Sequence, residues 1–258
     1  MYTTRTAPSP RASALAFLLG GVFAGCAGAA ADPAEAGIAT AGTPTTTDPA
    51  KCPTLPEGFA YLTTVDDSIA VDLKYASTDN FTGDIVDGYE RANAAVLRAD
   101  AAAALSAAQT TLAEDDIGLL VFDAFRPTRA VTDFVAWSRT DDDRTRDEYY
   151  PSLDKAQLFD LGYIAEQSGH SLGGTVDLTL VDLASEDPLD MGGAFDLFDE
   201  RSHYDFDGVT DQQFQHRTVL REAIIDAGFS PYPQEWWHFS YPVPEDSQRL
   251  DCALEPCG

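Results

Sequence analysis

The stretch "GTVDLTLVDL" (Gly174–Leu183) decides the fold class. Val176, Leu178 and Leu180 fall on one face of an extended chain, and Asp177 and Thr179 fall on the other. Upstream, "IGLLVFDAF" (Ile117–Phe125) is a continuous apolar run of strand length, which predicts a buried strand. Arg126-Pro127 ends it, and "TRAVTDFVAWSRT" predicts a helix that begins just after the proline. "SIAVDLKYAS" (Ser68–Ser77) alternates like a strand. Glu90–Asp116 is alanine-rich and predicts a helix. "DDDRTRDE" (Asp141–Glu148) reads as a solvated loop. Thr210–Gly228 reads as a capped amphipathic helix ending at a glycine, and Trp236–Tyr241 as a last strand. Helices and strands mix without regular alternation. The expected class is therefore α+β, one domain with a central, mainly antiparallel sheet flanked by helices.

The 258 residues carry 43 acidic and 16 basic side chains, for a net charge of −27. Such a surface repels nucleic acid and anionic lipid, so neither is an expected partner. The N-terminus reads as a targeting segment. Arg5 and Arg11 precede the apolar run "ALAFLLGGVFAG" (Ala14–Gly25), which is short for a membrane span and suits a signal-peptide core. It ends at Cys26 in "FAGC", which resembles a bacterial lipobox with Phe23 in place of the usual leucine. Ordinary cleavage near Ala27–Ala31 is the alternative, and both imply export. Residues 1–25 are thus expected to be a signal peptide and Cys26 a lipidation site. Residues 26–51, rich in Ala, Gly, Thr and Pro, are expected to be a flexible tether, and residues 52–258 the folded domain. The protein is expected in the periplasm or cell envelope, touching membrane only through that anchor. Export permits disulfides, and Cys52, Cys252 and Cys257 are the candidates.

Histidine is scarce, with 4 in the chain. His170 lies in a turn made permissive by Gly169, Gly173 and Gly174, just before Asp177. His238 lies in "EWWHFS". Two imidazoles and a carboxylate make a three-ligand site with a fourth position open, the catalytic zinc arrangement. Such a site needs a base that is not a ligand. Glu235, three residues before His238, qualifies if the chain bends near Gln234–Trp236, as "PYPQ" upstream allows. A lone histidine among aromatics is usually a packed core residue. It is the joint spacing that points to a metal. His203 reads as structural and His216 as exposed. "DFDGVTD" (Asp205–Asp211) resembles a calcium loop but lacks the later ligands.

"SGHSLGGTVD" (Ser168–Asp177) and "EWWHFS" resemble the signature segments of the D-Ala-D-Ala zinc peptidases. "DLKYASTDNFTG", "VDGYE", "DAFRPTRAV", "YYPSLD" and "MGGAFDLFDERSHY" resemble, in order, blocks of the VanX-type D-alanyl-D-alanine dipeptidases. The resemblance spans about Val65–Tyr241. It implies one zinc held by His170, Asp177 and His238, Glu235 as base, and Arg126 as the residue that stabilises the oxyanion. Arg126 also suits that role by position, at a strand end before a helix. The resemblance further implies substrate contacts at Ser168, Tyr75, Tyr89 and Asp196, with Asp196 holding the ammonium of a dipeptide. Dipeptide hydrolysis by a zinc-activated water is the expected activity. A D,D- or L,D-carboxypeptidase acting on peptidoglycan stems, or a non-catalytic wall-binding lipoprotein, are the competing expectations. The export segment and terminal cysteines depart from the best-known members, which act in the cytoplasm.

Overall fold

The computed structural model describes residues 54–255. The signal segment, Cys26, the tether, Cys52 and Cys257 lie outside the described residues. The elements in chain order are β1 (Phe59–Tyr61), α1 (Leu62–Val65), β2 (Ala70–Val71), β3 (Val96–Arg98), α2 (Ala99–Leu112), β4 (Ile117–Asp123), α3 (Thr128–Trp137), α4 (Arg146–Tyr149), α5 (Lys155–Asp160), β5 (Thr175–Asp182), α6 (Asp211–Asp226), β6 (Ser230–Pro231) and β7 (His238–Ser240). The main sheet has the order β2-β4-β5-β7-β6, with β1 and β3 paired apart from it. Only β2 and β4 run parallel in the main sheet, so the α+β class with a mainly antiparallel sheet holds.

The alternation in β5 works as its sequence predicts. Leu178 and Leu180 stand opposite Val121 and Leu119 of β4, and all four are buried in the core. On the other face, Asp177 stands opposite His238 of β7. Between Val121 and Asp123 the β4 register shifts, so that Asp123 also stands opposite Asp177. Strict alternation would have put Asp123 on the face of Leu119 and Val121. The bulge turns it to the other face, beside the two residues that the sequence singles out.

Four expected elements differ. The strand at Ser68–Ser77 shrinks to Ala70–Val71, and Lys74–Ala76 turns into a 3₁₀ helix that buries Tyr75. The helix at Glu90–Asp116 begins only at Ala99, because Val96–Arg98 pairs with β1. Ala94, Ala95, Val96 and Leu97 are consecutive and all buried, which an amphipathic surface helix cannot achieve, so burial overrides alanine's helix propensity. The solvated loop ends in α4, since Tyr149 and Tyr150 turn inward. The last strand starts at His238 and not at Trp236, because Tyr232–His238 forms a tight turn, with Glu235 N–H donating to Tyr232 O at 3.3 Å.

The long helix α6 is capped by Thr210 and Gln213 as its sequence predicts, though it buries only the stripe Arg217, Leu220 and Ile224. It packs with α2 against the sheet. The C-terminal segment crosses the domain. Leu250 N–H donates to Ser171 O at 3.0 Å, Arg249 Nε to Ser168 O at 3.1 Å, and Arg129 grips Asp251 through Nε and Nη2 at 3.1 and 3.0 Å. Cys252, within this segment, is disulfide-bonded.

Candidate active site

The turn before β5 places His170. Residues His170–Leu172 form a 3₁₀ turn closed by Gly173 at φ +78°, where a Cβ would come within 2.2 Å of the Phe59 ring. Only glycine serves there. The turn buries His170 to 1% exposure and directs its Nδ1–H onto the carbonyl of Ala124 at 2.8 Å. That bond fixes the tautomer and leaves Nε2 for another partner.

Nε2 of His170 lies 3.3 Å from Asp177 Oδ2, and His238 Nδ1 lies 2.9 Å from Asp177 Oδ1. One ligand atom from each of the three residues lies within 4.8 Å of the others. His170 Nε2 makes no hydrogen bond and Asp177 Oδ1 has only the His238 imidazole at 2.9 Å, a poor provision for two buried polar atoms. A cation between the three residues would satisfy both. Two imidazoles and one carboxylate fit zinc, and the set leaves a position for a further ligand. Burial works against ionising Asp177, but the neighbouring imidazoles of His170 and His238 outweigh it and hold the carboxyl well below the usual range.

The turn at Tyr232–His238 sets Glu235 beside this group. Its Oε2 is 3.5 Å from His238 Nδ1, and its side chain is 9% exposed. Burial, reinforced by the charge of Asp177, raises the Glu235 carboxyl well above the ordinary value. A carboxyl so placed is readily protonated and deprotonated in one catalytic cycle.

Arg126 follows β4 and reaches the same place. Its Nη2 lies 3.5 Å from Asp177 Oδ2, and its guanidinium lies 5.1 Å from the rings of both Tyr75 and Phe134. Burial disfavours its charge, but Asp123 outweighs that and raises its pKa. Asp123 is fully buried. It accepts from Arg126 and from the hydroxyl of Tyr89, and its Oδ2 is 3.3 Å from His170 Nδ1. The sequence reading did not single out Asp123, which lies inside an apolar run. The recoverable signal was the single charged residue in "GLLVFDAF".

A cavity of about 250 Å³ joins these groups. Arg126, Ser168, His170, Asp177, Asp196, Glu235, His238 and Tyr75 all line it. Ser168 Oγ accepts from His170 N–H at 3.2 Å, which ties it to the same turn. Asp196 is buried at φ +57° and accepts from the Tyr75 hydroxyl at 2.9 Å. Burial, and then the charge of Asp177, raise its carboxyl well above the ordinary value. Tyr89 is not among the lining residues; it stands behind the wall as a donor to Asp123, packed against Tyr75 with ring centroids 5.6 Å apart. Tyr163, Tyr232 and Phe198 also line the cavity, and nothing in the sequence marked them. His203 stays structural, 3.1 Å from the Tyr163 hydroxyl. His216 is half-buried and donates Nδ1–H to Asp190 O at 2.8 Å.

The sequence signature of the Peptidase_M15 family, described as D-ala-D-ala dipeptidase, matches residues 56–252. The chain is 42% identical over 183 residues to the D-alanyl-D-alanine dipeptidase of Enterococcus faecalis, covering 70% of this chain and 90% of that one. It is 43% identical over 183 residues to the D-alanyl-D-alanine dipeptidase of Streptomyces coelicolor, with the same 70% and 90% coverage. To the Escherichia coli D-alanyl-D-alanine dipeptidase it is 30% identical over 197 residues, covering 73% of this chain and 89% of that one.

Proposed function

The chain belongs to the Peptidase_M15 family of D-Ala-D-Ala dipeptidases, and from that premise we propose that it hydrolyses D-alanyl-D-alanine to two D-alanines with one zinc ion held by His170, Asp177 and His238. The observation that carries the reading is the meeting of those residues with buried Glu235, Arg126 and Asp196 in one cavity of about 250 Å³. That volume lies just under the ~300–1,000 Å³ of drug-sized ligand pockets and suits a very small substrate.

Zinc in such a site supplies Lewis acidity and brings the pKa of water to about 7. The chain's own groups do the rest. Glu235 takes the proton of the attacking water and returns it to the departing amine nitrogen. The Arg126 guanidinium, held in place by Asp123, stabilises negative charge on the former carbonyl oxygen. Asp196, held by the Tyr75 hydroxyl, accepts the substrate's ammonium. Ser168 lines the same wall and contacts the substrate. Burial of Glu235 and Asp196 places them in a low-dielectric surrounding, which strengthens these interactions.

Arg5, Arg11, the apolar run Ala14–Gly25 and Cys26 support export and lipid anchoring to the cell envelope. Incubating the protein with D-Ala-D-Ala and, separately, with a stem pentapeptide tests the activity. Release of D-alanine from the dipeptide alone is the expected result. Faster release from the pentapeptide would replace the dipeptidase with a carboxypeptidase.

A further inference from the structure

Arg217 on α6 is 1% exposed, and among the described residues no carboxylate lies within ion-pair distance of it. Its guanidinium is spent on main-chain carbonyls. Nε donates to Met191 O at 2.6 Å, Nη1 to His203 O at 2.6 Å, and Nη2 to Arg201 O at 2.8 Å. All three acceptors belong to one irregular segment, Met191 to His203. Asp196 sits inside it at φ +57°, a left-handed conformation that is uncommon for residues other than glycine.

The same segment bears on the base. Trp236 N–H donates to Ser202 O at 3.0 Å, and Tyr204 N–H to Pro233 O at 3.0 Å. These two bonds anchor the turn around Glu235 without using Arg217, so that turn keeps its place when Arg217 is replaced. Two neighbours of Arg217 on α6 hold the start of the segment. Gln213 Nε2 donates to Asp190 Oδ2 at 2.8 Å, and His216 Nδ1–H to Asp190 O at 2.8 Å. Burial lowers the Arg217 pKa to about 10, a sign that the uncompensated charge is costly. A neutral residue would avoid that cost but would leave three carbonyls of an irregular segment without donors. Lysine would carry the charge, but its ammonium is a point donor and does not span three acceptors as a planar fork does.

We propose that Arg217 is a positioning residue for substrate selectivity: by pinning the Met191–His203 segment to α6 it holds Asp196 where the free ammonium of the dipeptide binds. The inference rests on the reading of Asp196 as the ammonium acceptor. Arg217 itself lies outside the residues that line the cavity.

The test uses zinc-loaded, full-length protein with D-Ala-D-Ala and N-acetyl-D-Ala-D-Ala, the second lacking the ammonium. Arg217→Met and Arg217→Lys should each raise KM for the free dipeptide about tenfold or more, the scale of a hydrogen bond to a charged group. Metal content, kcat and the kinetics on the acetylated substrate should stay near wild type, the pattern of lost ground-state binding. Asp196→Asn should show the same KM defect, and adding Arg217→Lys to it should cost little more. Equal losses on both substrates, or full additivity with Asp196→Asn, would mean that Arg217 only stabilises the fold. If Arg217→Met does not fold, Arg217→Lys decides: wild-type KM and selectivity in that variant overturn the proposal. An unchanged KM in Asp196→Asn alone would instead remove the reading of Asp196 beneath it.

Discussion

One oxygen of Asp123, Oδ2, meets both Nε and Nη2 of Arg126, at 2.9 and 2.8 Å. The same oxygen lies 3.3 Å from His170 Nδ1. One buried carboxylate thus orients the arginine proposed to stabilise the oxyanion and lies beside an imidazole of the proposed metal group. Asp123→Asn should cut kcat about 10²–10³-fold, the scale of losing one oxyanion donor. The loss should not add to that of Arg126→Ala, because both remove the same function. Steady-state rates of the two single variants and the double variant check this. Additive losses would separate Asp123 from Arg126.

Metal dependence follows from the grouping of His170, Asp177 and His238, whose ligand atoms lie within 4.8 Å of one another. The protein should bind about one zinc per chain and melt at a higher temperature with zinc than without it. A chelator should abolish activity and zinc should restore it. His170→Ala should lose the metal together with the activity. Metal analysis alongside a thermal melt reads both quantities. Full activity in protein shown to be metal-free would remove zinc from the mechanism.

Glu235 lies 3.5 Å from His238 without belonging to the three-residue group. Glu235→Gln keeps the shape and removes the proposed base. It should retain zinc and lose roughly 10²–10⁴-fold in kcat. A variant that loses its zinc would show Glu235 to be a ligand.

The part of the candidate site set by sequence-local geometry was legible. His170 and Asp177 lie in one turn-and-strand unit, and the bend that brings Glu235 beside His238 was predictable from the faces they would otherwise occupy. Asp123 was not legible, because a bulge alters its face and an alternation pattern carries no sign of one extra residue. Tyr89 bears on the site through Asp123, a contact between residues 34 apart in the chain that neither local sequence encodes. The short strand β3 was hidden in an alanine-rich run for a similar reason. Its partner β1 lies far upstream, and pairing, not propensity, decided its conformation.

Asp196 gives a prediction with two signs. Burial and the charge of Asp177 raise its pKa in the folded protein above the ordinary value, near 3.9. Between the unfolded and folded pKa values the folded state binds more protons than the unfolded state. Stability contributed by this group therefore falls as pH rises through that window, and the deficit persists at neutral pH. Asp196→Asn keeps an acceptor for the Tyr75 hydroxyl but cannot ionise. It should melt higher than wild type at pH 7, and the gap should shrink as pH falls toward about 4. Activity should move the other way. The ionised carboxylate is the form that pairs with an ammonium, so the wild-type KM for D-Ala-D-Ala should rise as pH drops through the raised pKa. In Asp196→Asn, KM should be higher at neutral pH by roughly 10–150-fold, the worth of a hydrogen bond between charged partners, and that acidic rise should vanish. Melting curves and KM measured across pH for both proteins check the two signs together. A variant that melts lower at pH 7 and keeps the wild-type KM would make Asp196 a structural partner of Tyr75 with no part in binding substrate.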